Sequence, residues 1–156
     1  MVVERHDAAA SGNTDNQSYD VTAAANRLLI LGITNEGGSP TMTVTYGGQS
    51  MTELVTRTSA GGTNRHKVDL FYLLEAGIAA RSGNVIAVTG QLTKWTWSAR
   101  SYKNVLQDGG ISTFPSTGSN TTGTSSPNPV KFNISVTDGD AAVAEAQVAQ
   151  ICAKQG

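Results

Sequence analysis

Thr41-Met42-Thr43-Val44-Thr45-Tyr46, then Gly47-Gly48, then Gln49-Ser50-Met51-Thr52-Glu53-Leu54-Val55, is a β-hairpin written in residues. Two alternating runs flank a two-residue turn. Side chains alternate across a strand, so Met42, Val44 and Tyr46 share one face and the threonines take the other. The primed turns that close such hairpins need positive φ, which glycine adopts without a Cβ clash.

Upstream, Arg27-Leu28-Leu29-Ile30-Leu31-Gly32-Ile33-Thr34 is a short continuous apolar run. Asn35-Glu36-Gly37-Gly38-Ser39-Pro40 ends it within about two helical turns, so it reads as a strand buried on both faces. Residues 1–18 are small and polar, and read as a flexible arm or an edge segment. Downstream, Val68-Asp69-Leu70-Phe71-Tyr72-Leu73-Leu74 is a second central strand, after which Glu75-Ala76-Gly77-Ile78 turns the chain. Asn84–Thr89 is a further strand. Lys94-Trp95-Thr96-Trp97-Ser98-Ala99-Arg100-Ser101-Tyr102 alternates as a half-buried strand should. Gly110–Phe114 and Lys131–Val136 are two more strands, separated by a Ser/Thr/Gly/Asn/Pro loop.

About eight short strands with regular turn signals predict an all-β fold, a two-sheet antiparallel sandwich of jelly-roll or immunoglobulin-like type. The expected core is Leu29, Leu31, Val44, Tyr46, Leu70, Tyr72, Val85, Ala87, Trp95, Trp97, Phe132 and Ile134. The expected organisation is an arm over 1–18, one sandwich domain over 19–150 and a tail over 151–156. The stretch Asp138–Ile151 reads equally as a returning strand or a short C-terminal helix: Ala, Glu and Gln favour helix, whereas Asp138-Gly139-Asp140 looks like a hairpin turn.

The 156-residue chain carries 11 Lys plus Arg against 12 Asp plus Glu, a net charge of −1. A nucleic-acid partner normally demands a basic excess, so none is expected. No run approaches the ~18 apolar residues of a membrane span, so no membrane partner is expected. Cys152 is the single cysteine and cannot form an internal disulfide, which leaves the fold to its core. Met1-Val2-Val3-Glu4-Arg5-His6 has no apolar stretch of the ~7–15 residues a secretory signal needs. The location stays open: the cytoplasm, or a virion or cell surface reached without such a signal or after one has been removed.

Four segments carry a family resemblance: Ala25–Gly32, Val44–Thr52, Val68–Glu75 and Gly83–Thr89. In order and spacing they resemble a loose family of β-sandwich proteins encoded by bacteria and phages, over roughly residues 19–136. The resemblance implies a virion, appendage or cell-surface module and carries no catalytic motif. Relatives usually continue with more strands, whereas this chain ends at Gly156 after an alanine-rich stretch, as a truncated or recombined frame would. A shortened sandwich leaves an open strand edge, which invites pairing with another chain.

Few residues form a chemical constellation. His66 has Ser59 and Asp69 nearby in sequence, but no strained nucleophile turn accompanies them, and a hydrolase is not expected. Two histidines and one cysteine far apart give no zinc-ligand spacing. Asp138 and Asp140 with Glu145, or Asn13, Asp15, Asn16 and Asp20, offer oxygen ligands for Ca2+, although turn chemistry explains both sets. Otherwise no cofactor is expected. Arg57, Arg65, His66 and Lys67, like Lys94, Arg100 and Lys103, read as solvated faces. Trp95 and Trp97 project to one side of their strand. Two readings follow: both rings fill the core, or they form an aromatic platform that stacks a glycan. The leading functional expectation is a non-catalytic structural or interaction module acting through self-assembly or surface attachment, with a homo-oligomer or assembly protein as partner. The alternative is a carbohydrate-binding module using Trp95 and Trp97.

Overall fold

The computed structural model describes residues 4–5, 10–12, 14–36, 41–58, 66–91 and 94–107. Along the chain run β1 (Glu4–Arg5), β2 (Ala10–Gly12), β3 (Asn16–Ser18), β4 (Leu28–Glu36), β5 (Thr43–Tyr46), β6 (Gln49–Ser50), β7 (Thr52–Thr58), β8 (His66–Leu74), α1 (Glu75–Ala80), β9 (Val85–Thr89) and β10 (Trp95–Lys103). The larger sheet has the order β1-β10-β4-β8-β7, with β2 also on β10. The smaller has the order β3-β9-β5-β6. Every pairing is antiparallel. The two sheets pack face to face as an all-β sandwich. The segment 1–18, read as an arm or an edge, supplies edge pairing to both sheets through β1, β2 and β3. Phe132, Ile134, the strands expected over 110–114 and 131–136, and the ambiguous tail lie outside the described residues.

The hairpin forms at the expected turn. Gly47 and Gly48 have φ of 53° and 81°, and Tyr46 pairs with Gln49 across them. A Cβ on Gly47 would sit 2.4 Å from the Gly83 carbonyl oxygen, so this position also needs the missing side chain. The second arm differs from its sequence expectation. Gln49 and Ser50 pair with β5, and the Met51 N–H still donates to the Val44 carbonyl (2.9 Å); the Met51 side chain joins the core, and Thr52–Thr58 joins the other sheet beside β8. A buried apolar side chain at the corner gives the strand a reason to change sheets.

Between the sheets lie Leu29, Leu31 and Ile33 of β4, Val44 and Tyr46 of β5, Phe71 and Leu73 of β8, Ile86 and Val88 of β9, and Trp95, Trp97 and Ala99 of β10. Four expected core residues take the other face. Val85 is exposed, Ala87 and Leu70 are half-buried, and Tyr72 is buried in a separate cluster with Leu28, Ile30, Tyr102 and Val105. The reason is physical. Both segments are apolar at nearly every position, so a period of two cannot choose the inward set. Register chooses it: Val44 opposite Val88 and Tyr46 opposite Ile86 commit Ile86 and Val88 inward.

Where a turn is expected after β8, the chain forms the six-residue helix α1. Its Ile78 is fully buried and closes one end of the core. Tyr46 reinforces that end, since its buried hydroxyl donates to the Tyr19 carbonyl (2.9 Å) and accepts from the Val21 N–H (3.3 Å).

Candidate functional site

Strand register places an unusual set of side chains on the inner face of the larger sheet. Trp95 is opposite Asn35, Asn35 opposite Lys67, and Lys67 opposite Thr58. One step further in, Trp97 is opposite Ile33, Ile33 opposite Asp69, and Asp69 opposite Thr56. Side chains two apart on a strand share a face. Lys67 and Asp69 therefore face inward with Phe71 and Leu73, and Asn35 with Leu31 and Ile33.

These polar groups are enclosed. Asn35 and Asp69 have no exposed surface, and Lys67 retains 7%. Lys67 Nζ lies 3.0 Å from Asp69 Oδ1. Beyond that ion pair, neither Asp69 oxygen accepts a hydrogen bond among the described residues, and the buried Thr56 hydroxyl and Trp97 indole N–H also lack partners there. Asn35 Nδ2 meets Met42 Sδ at 2.8 Å, so an apolar thioether abuts the carboxamide nitrogen. Taking two charges out of water costs several kcal/mol per ion, on the order of what their attraction returns. Such a pair is weak evidence for stability and a better pointer to a role.

The opposite ends of the same strands hold a different pair. The Glu75 carboxylate accepts from the Arg27 backbone N–H (2.7 Å), from Arg27 Nε (2.9 Å) and from Nη2. Gln107 ties both residues down, accepting from the Glu75 N–H (3.0 Å) and donating to the Arg27 carbonyl (3.2 Å). The Arg27 guanidinium holds the Glu75 carboxyl below its ordinary value, against a smaller opposing effect of burial.

Trp95 and Trp97 are buried between the sheets, with 8% and 1% of their surface exposed. They fill the core and present no open platform, which removes the geometric basis for stacking a sugar on them. Lys67, expected on a solvated face, is inside; the face it shares with Phe71 and Leu73 explains why. Ser59 and the His66 side chain lie outside the described part, as do Asp138 and Asp140. Of the other oxygen-ligand set, Asp15 accepts from Gln91 and Asp20 from Asn84, each a carboxylate already engaged by an amide. Among the described residues no group of three or more His, Cys, Asp or Glu is placed to hold a metal ion. None of their helices is long and apolar enough to cross a membrane. The sequence reading missed Asn35 and Lys67 as members of one site. The available signal was the alternation Lys67-x-Asp69-x-Phe71-x-Leu73, which puts two charges on an apolar face.

Comparison with known proteins found no matching family model, no matching curated protein and no matching solved structure.

Proposed function

We propose that this protein is a non-catalytic interaction module that works by strand addition at an edge of its larger sheet, joining copies of the chain or fixing it to a surface partner. One observation carries this reading. β7 is outermost in its sheet, seven residues long, and has β8 as its only paired neighbour among the described residues. A strand in that position is one to which a further strand can be added by main-chain hydrogen bonds. Its protection is partial: a register shift between Glu53 and Val55 interrupts the ladder, while Val55 to Thr58 pair regularly with Leu70 to Lys67. The sequence expectation of a homo-oligomer or assembly partner invokes an open strand edge without saying which; β7 is the edge proposed here.

Neighbouring residues of an antiparallel strand point their N–H groups to opposite sides. Of Thr56→Pro and Arg57→Pro, therefore, one breaks the ladder to β8 and the other removes an outward N–H. Circular dichroism identifies the variant that stays folded. Light scattering across a concentration series should show the wild type as an oligomer and that folded variant as a monomer. A wild type that is monomeric at every concentration, or a folded proline variant that still assembles, contradicts the reading.

A further inference from the structure

We propose that Lys67 and Asn35 join covalently through an intramolecular amide bond, with Asp69 as the proton carrier. The juxtaposition is specific. Asn35 of β4 and Lys67 of β8 are directly opposed on the inner face, where opposed residues have Cβ atoms about 4.5–5.5 Å apart. Asp69 sits one step along on the same face, diagonal to Asn35, with its Oδ1 3.0 Å from Lys67 Nζ. All three are nine-tenths or more buried. Among the described residues Asp69 accepts no other hydrogen bond, and its second oxygen meets no donor there. Ile33, Met42, Trp95 and Trp97 wall the site with apolar surface. A dry pocket favours amide formation over hydrolysis and strengthens every electrostatic contact inside it.

The chemistry balances without any outside reagent. Proton transfer from Lys67 Nζ to Asp69 leaves a neutral amine and a carboxylic acid, which relieves the core of two charges. The amine adds to Asn35 Cγ while the Asp69 acid donates to the Asn35 carbonyl oxygen. The Nζ–Cγ bond forms, the Cγ–Nδ2 bond breaks, and Nδ2 departs as ammonia. Of the three protons on the starting ammonium, one stays on the new amide N–H and one reaches the leaving nitrogen through Asp69. The third remains on Asp69 or leaves with ammonia as ammonium. Nothing is oxidised or reduced. The bond would clamp two central strands of the larger sheet, beside the edge through which assembly is proposed, although the inference stands independently of that reading.

Intact-mass measurement of the purified full chain tests it. The wild type should be lighter than its sequence by one ammonia, about 17 Da. Trypsin should release segment 28–57 linked to segment 66–81, with cleavage after Lys67 blocked. Lys67→Arg keeps a cation beside Asp69 but cannot form the bond, and should restore the full mass. Asp69→Asn removes the proton carrier and should do the same. Asn35→Asp should lose one water instead, about 18 Da. A folded wild type at full mass overturns the proposal. So does a deficit that survives Lys67→Arg, or a water-mass deficit in the wild type, which would place the bond on Asp69. The linked peptide is read on the wild type alone, so the test holds even if a variant fails to fold.

Discussion

The two ends of the central strands β4 and β8 each carry a cation–carboxylate pair, built on opposite principles. At one end, Arg27 and Glu75 are anchored by backbone N–H groups, a forked guanidinium and the Gln107 amide, and Glu75 keeps 29% side-chain exposure. At the other, Lys67 and Asp69 have 8% and 0% side-chain exposure, and among the described residues Asp69 has no hydrogen bond beyond the contact between them. The first arrangement is what a structural clamp needs, because charge-assisted and bidentate bonds offset desolvation. The second encloses the Lys67, Asp69 and Asn35 side chains together in a dry space. The difference teaches that burial alone does not make an ion pair structural; satisfied lone pairs do.

Breaking the buried pair should have the largest effect. Asp69→Ala strands the Lys67 charge in the core and should cost at least about 3–5 kcal/mol by urea unfolding. Glu75→Gln keeps the shape but loses the charge, and should cost about 1.5–3 kcal/mol on the same measurement. If Glu75→Gln proves the more damaging of the two, the contrast between the ends is reversed. Acid sharpens it further. The Arg27 guanidinium holds the folded-state pKa of Glu75 below its ordinary value, so its contribution is fully present above that ordinary value. That contribution is lost as pH falls through the folded pKa. The stability difference between wild type and Glu75→Gln should thus be flat at neutral pH and shrink in acid. The smallest effect belongs to the exposed pair beside the buried one. Lys94 Nζ is 3.3 Å from Glu36 Oε2, with 68% of the lysine side chain exposed. Lys94→Ala should change stability by no more than about 0.5 kcal/mol.

The hairpin, the paired glycines and the sandwich class were legible because each rests on local signals: alternation, turn length and positive φ. Trp95 and Trp97 were legible as one face, and their strict alternation with polar residues favoured the inward side. The inward parity of β8 and β9 was not legible. Val68–Leu74 and Val85–Val88 carry apolar residues on both faces, and only pairing with β4 and β5 breaks the tie. The crossing at Met51 was hidden for a related reason, since a buried corner residue and a strand residue look alike in sequence. The candidate site depended on both. Asn35 and Lys67 are 32 positions apart, and nothing short of the β4–β8 register puts them face to face.

Everything argued for the buried pair depends on which face of the larger sheet points inward. Trp95 and Trp97 are the only tryptophans in the chain, and they lie in the rows that hold Asn35, Lys67 and Asp69. Tryptophan emission of the native protein, titrated with acrylamide, reports that face directly. Blue emission that resists quenching is the result predicted here. Red emission quenched as freely as in the unfolded chain would put both rings, and the polar row beside them, in water, and would contradict the account.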